Sequence, residues 1–206
     1  MKLPADPPSE KNLPAWQAYA LDYLREQLKD AAPSELTKPK LFERSPLEGE
    51  GATVVFEFTA DIADRGAERH FVVVGQTEPN YYPAYGLDAD ETFSLHVGTR
   101  FMLVMGVAQC GPSEPGDYDA QADARAIVGR IAHEAAVEDV TIAATFDVEG
   151  EPHAVLRCKV AGESVYIFGR DAPPGFSRWT NLPPQVVYRL HLGSVLRREP
   201  APSDED

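Results

Sequence analysis

Apolar residues fall at helical spacing in two stretches of the chain and in alternation over much of the rest. Over residues 15–28, Leu21, Leu24 and Leu28 stand three and four apart. Pro14 suits a first helical turn and Pro33 lies just past the end, so the pattern predicts a helix there. A second helix is predicted within 118–136, where Ala124, Ile127, Val128, Ile131 and Ala135 share one face. Residues 41–44 make a short strand candidate. Residues 52–59 and 70–75 are β-branched and aromatic, with Asp64-Arg65-Gly66 as their connection. Residues 140–146, 153–160 and 164–169 repeat that pattern around the turns Glu149-Gly150-Glu151 and Ala161-Gly162-Glu163. Each set reads as a three-stranded antiparallel meander.

One phrase occurs twice. Leu95-His96-Val97-Gly98-Thr99 returns as Leu190-His191-Leu192-Gly193-Ser194, a shift of 95 residues. Its flanks recur in the same order: Val72-Val73-Val74-Gly75 answers Tyr166-Ile167-Phe168-Gly169, and Leu47-Glu48-Gly49-Glu50 answers Val148-Glu149-Gly150-Glu151. Slowly drifting shifts with a kept order point to an internal duplication in which loops changed length.

The phrase segments admit two structures. As strands, Phe93, Leu95 and Val97 face one way, as do Tyr188, Leu190 and Leu192, and Gly98-Thr99 or Gly193-Ser194 makes a Gly-first hairpin turn. As helices they have start signals: Asp88 or Asp90 as cap with Glu91 close by, and Asn181 as cap ahead of Pro183 and Pro184, with Arg197 and Arg198 in the last turn. The apolar positions scatter around the helical circumference, which favours the hairpin unless the segment is buried on most sides. Two unrelated start signals at equivalent places tip the balance to helices, with Gly98 and Gly193 as points where another backbone approaches closely.

The expected fold is therefore α+β: a tandem duplication of a helix, three-stranded antiparallel meander, helix unit, packed as a pseudo-dimer, with helices covering one face of each sheet. Residues 1–13 form an arm, 14–109 the first repeat, 110–117 a linker, 118–198 the second repeat and 199–206 an acidic tail expected to be disordered. With its Leu182-Pro183 step before a helix and its low isoelectric point, about 4.7, the chain resembles type III secretion chaperones and the related small acidic YbjN-like proteins. That resemblance implies this arrangement of helix, meander and helix in one unit.

Charge narrows the partners. The formal net charge is −14, which opposes nucleic acid and anionic lipid, since both demand a basic face. The same acidity fits either plain solubility or a basic partner. No run approaches the roughly 20 apolar residues of a membrane helix, and the opening residues lack the apolar stretch of a signal peptide, so a cytoplasmic location is expected. Cys110 and Cys158 form neither a CxxC pair nor a disulfide framework and read as free thiols in a reducing compartment, Cys158 packed in a strand.

Chemistry is sparse. The chain has no GxxxxGK[ST], no GxGxxG after a strand, no Gly-x-Ser-x-Gly and no HExxH, and no carboxylate pair stands out as acid and base. His96 and His191, at equivalent places in the two copies, are the candidate metal ligands, although a metal site usually wants three or four ligands. Backbone-bonded histidines repeated by ancestry explain them more simply. His133-Glu134 reads as solvated surface. Tyr81, Tyr82 and Tyr85 in copy one, with Phe176 and Trp179 in copy two, are the binding candidates, in loops where polar residues are the norm. The competing expectation is that they fold back and plug the core. Taken together, these features predict a non-enzymatic protein- or peptide-binding module, chaperone- or adaptor-like, with no cofactor, existing as a pseudo-symmetric monomer or a homodimer. The rivals are a small-molecule or metal site around His96 and His191, with enzymatic activity open, and a structural part of a larger assembly.

Overall fold

The computed structural model describes residues 2–29, 32–36, 39–47, 49–62, 66–110, 118–132 and 135–198. The connection at Asp64-Arg65, linker residues 111–117, His133-Glu134 and the acidic tail lie outside them. Among the described residues there are four helices and two five-stranded antiparallel sheets, an α+β fold. No helix among them is long and apolar enough to cross a membrane. The chain divides into two compact units, Met1–Val97 with Leu196–Asp206, and Gly98–Val195.

In unit 1, helix α1 (Leu13–Leu28) is followed by β1 (Ala32–Leu36), β2 (Lys40–Phe42), β3 (Thr53–Ile62), β4 (Gly66–Gly75) and β5 (Asn80–Pro83). Helix α2 (Ala89–Val104) starts in this unit. The strand order is β1-β3-β4-β5, and β2 pairs with the start of β3. Alternation along β3 and β4 sends Val54, Phe56, Phe58, Val72 and Val74 to one face, where Trp16, Ala20 and Leu24 of α1 are buried against them. The buried stripe of α1 thus runs Trp16, Ala20, Leu24, and the expected Leu21 and Leu28 are only partly covered. Trp16 is the larger apolar body and has a partner for its polar edge: its indole N–H donates to the Asp6 carbonyl at 3.2 Å. The opposite face takes α2, whose Phe93 stacks on Phe42 at 3.9 Å between centroids.

Unit 2 holds β6 (Ala108–Cys110), α3 (Ala120–Ala132), β7 (Val137–Val148), β8 (Glu151–Val160), β9 (Glu163–Arg170), β10 (Gly175–Ser177) and α4 (Pro184–Leu196), in sheet order β10-β9-β8-β7-β6. Ala124, Ile127 and Val128 of α3 cover Leu156, Val165 and Ile167. On the other face Tyr188 of α4 stacks on Phe146 at 4.1 Å, and His191 stacks on Phe168 at 3.8 Å. The turns expected at Glu149-Gly150 and Ala161-Gly162 are present. All four residues take positive φ, 54° and 86°, then 50° and 82°, the backbone that two-residue hairpins with matching twist require.

Each sheet is thus five-stranded with a helix on both faces, where sequence pattern predicts three strands and one covered face. The strand expected at 41–44 is β2, and the added strands β1, β5, β6 and β10 are three to five residues long, too brief for alternation to register.

Both phrase segments are helical, and the hairpin alternative is overturned. Asp88 and Glu91 form a reciprocal cap at the start of α2: the Glu91 N–H donates to Asp88 Oδ1 and the Asp88 N–H to Glu91 Oε2, both at 2.9 Å. Scattered apolar positions present no difficulty, because residues 92–98 are buried without a break. At α4 the expected cap Asn181 is displaced by Pro183, whose carbonyl accepts the first helical bonds from Val186 and Val187. Gly98 is a close-approach point, since a methyl there would overlap the Arg189 carbonyl.

Candidate binding surface

The stretch around Tyr81 and Tyr82 is strand β5, so the two rings leave opposite faces of the sheet. Tyr81 lies opposite Val72 on the α1 side and its hydroxyl shares a hydrogen bond with His70 Nδ1 at 2.9 Å. Tyr82, buried, lies opposite Phe71 and shares a 3.3 Å hydrogen bond with His96 Nδ1 of α2. Tyr85 behaves differently. The Leu87 N–H donates to the Ala84 carbonyl at 2.7 Å, and the two residues between them, Tyr85 and Gly86, take φ of 50° and 84°. Positive φ at a bulky non-glycine residue is a strained choice, and it leaves the Tyr85 ring outside, 38% exposed.

In unit 2 the aromatic stretch supplies strand β10. Pairing in register opposite Ile167 turns Phe176 to the α3 face, while Gly175 and Ser177 face α4. Beyond the end of the α3 stripe the sheet runs out, so Phe176 is only half covered, at 46% exposure. The result is an apolar groove of about 90 Å³. Ile127, Val128 and Ile131 of α3 form one wall, Val160 and Val165 the floor, and Phe176 the other wall. Ile131 is 44% exposed at the mouth. Glu163 and Arg178 also line the groove, 3.9 Å apart, with side chains 70% and 75% exposed. Trp179 is half-buried outside the groove, with its backbone N–H donating to Ser177 Oγ. The α3 residues of the groove belong to the stripe legible in sequence. Glu163 and Arg178 carry no sequence signal, because the turn and strand pairing alone bring them together.

A second hollow, of about 250 Å³ in unit 1, opens beside Phe42, Arg44, Ser45, Phe93 and Arg197. The Arg197 guanidinium is already occupied: Nη1 donates to the Asp90 carbonyl and to Ser94 Oγ, each at 2.8 Å, and Nη2 approaches the Asp90 carboxylate at 3.4 Å. It also stands about 5 Å over the rings of Phe93 and Phe42. Lys40 pairs with Asp90, and chiefly through that bond, helped by Arg197, the carboxyl is held below its usual range. The sequence pattern puts Arg197 in the last turn of its own helix. It lies one residue beyond α4 and serves the start of α2 instead.

The histidines sit in defined settings. His96 is buried. His191 donates from Nε2 to the Pro173 carbonyl at 2.7 Å. His153, in β8, is buried and bonded through Nδ1 to the Tyr188 hydroxyl. Burial pushes its pKa down, against the opposing charges of Asp171 and Glu151. Among the described residues no three His, Cys, Asp or Glu side chains come together to hold a metal ion. Cys158 is a free, buried thiol whose pKa burial pushes up to about 11, which leaves it a poor nucleophile. Near the start of α3, Asp123 accepts bonds from the Tyr118 hydroxyl at 2.7 Å and the Arg170 N–H at 2.5 Å, fastening the helix to the end of β9.

No protein family, curated protein or solved structure matches the chain.

Proposed function

We propose that the chain is a binding module for a protein or peptide segment, adaptor- or chaperone-like, and that the groove of unit 2 is its seat. One observation carries this: Phe176 and Ile131, 46% and 44% exposed, both line one apolar groove. Large apolar side chains held half in water beside a concave apolar surface mark interaction sites. Tyr85, held outside by its turn, is a second candidate contact. Phage-displayed random dodecapeptides provide the test. Wild-type chain should enrich peptides that Phe176→Ser and Ile131→Ser fail to capture, while both variants keep the thermal midpoint within about 2 °C, as exposed substitutions do. Failure to enrich any peptide over an unrelated acidic protein would refute the assignment.

We also propose that the two units descend from one ancestor. The support is order: helix, strands, helix from α1 to α2 and again from α3 to α4, with the repeated phrase in the last helix of each; β6, at the edge of the second sheet, falls outside this pattern. The repeated sequence before that phrase, ending in Gly75 and Gly169, falls at the end of β4 and of β9.

A further inference from the structure

We infer that the groove of unit 2 selects an apolar anchor residue flanked by lysine or arginine, and that Glu163 takes up the flanking base by exchanging it for Arg178. The inference rests on the binding reading above and specifies the partner of that same site. Three occupants suit an apolar groove: an added strand, a second copy of the chain, or a side chain presented by a partner peptide. Strand addition is disfavoured, since β10 is three residues long and is preceded by Pro173 and Pro174, which cannot donate backbone hydrogen bonds. A second copy brings another net charge of −14 toward the first. Those charges repel a copy and attract a cationic segment.

The lining specifies where a cation would go. Glu163 and Arg178 are the two charged side chains of the groove, and they lie 3.9 Å apart with at least 70% of each exposed. A pair at that distance and exposure holds weakly. A lysine or arginine delivered by an anchored peptide meets Glu163 at high effective concentration, whereas the Arg178 side chain is free to swing into water. An acidic flank would have Arg178 as its partner and would be opposed by the chain's net charge of −14.

The experiment uses peptides selected on the full wild-type chain. Their sequences should show Leu, Ile, Met or Phe with a base within two residues. In anisotropy titrations of a fluorescein-labelled copy, Glu163→Gln should weaken binding about threefold and flatten its salt dependence, and Arg178→Gln should tighten it by a similar factor. Replacing the peptide's base by glutamine should weaken binding to wild type and leave binding to Glu163→Gln nearly unchanged. Apolar peptides enriched without a neighbouring base would overturn the inference and leave the binding module standing. So would equal losses for wild type and Glu163→Gln, or weaker binding by Arg178→Gln. A dimer seen by light scattering and dissolved by Phe176→Ser would show the groove filled by a second copy, which also overturns it. No enriched peptide at all removes the inference and the binding module together.

Discussion

His153 reaches Tyr188 across 35 residues of sequence, and the bond is buried on both sides. Because burial lowers its pKa in the folded chain, the native state binds fewer protons than the unfolded chain between that lowered pKa and about 6.5. Stability from this group is therefore complete above about pH 6.5 and is lost as pH falls through the lowered value. Urea unfolding at pH 7.5 and pH 5 should show a loss for wild type that is smaller in His153→Gln, which keeps a polar contact to Tyr188 without a titrating ring. An equal loss in both proteins would assign the effect to other groups. At this scale sequence is least informative: it names the histidines, but Tyr188 as partner depends on where β8 and α4 meet. The same holds for Tyr82 and His96. Phe176 is a partial exception, since an aromatic residue in a Pro- and Gly-rich stretch is visible without a structure.

Helix α2 shows how local signals decide an element whose pattern is ambiguous. Its alternation fits a strand as well as a helix, yet the reciprocal cap of Asp88 and Glu91 fixes the start, and the unbroken burial of residues 92–98 removes the objection to its all-round apolar character there. Gly98 follows from packing rather than propensity. In an isolated helix alanine is favoured over glycine by about 1 kcal/mol, but here the added methyl would meet the Arg189 backbone, which has no flexible end to move. Gly98→Ala should therefore destabilise the chain, by about 1–3 kcal/mol as in other overpacked sites, measured by chemical unfolding. A more stable variant would mean that the two helices part at no cost. Long strands with Gly-containing turns, such as β8 and β9, are legible in sequence because their residues carry the alternation themselves. Short strands such as β5 and β10, with prolines at or near their ends, owe their pairing to the neighbouring strand and leave little trace.

Charge belongs to the whole molecule. Unit 1 has 21 acidic against 11 basic residues, net −10, and unit 2 has 12 against 8, net −4. Self-repulsion in so acidic a chain opposes compaction and is screened over about 8 Å at physiological salt. The thermal midpoint should accordingly rise as NaCl is raised from about 0.02 M to about 0.3 M, read by calorimetry. A midpoint that falls would mean that favourable pairs such as Lys40 with Asp90 outweigh the repulsion.

Arg197 adds a constraint of timing. It is the cation that bonds the Asp90 carbonyl and Ser94 and covers Phe42 and Phe93, yet it is made 107 residues after Asp90. A ribosome that has released all of the first sheet has still not supplied this group, so during synthesis the opening turn of α2 must wait without this cation over its aromatic neighbours. Unit 1 is thus completed only after the translation of residue 197, at a moment when the whole of unit 2 has already been made.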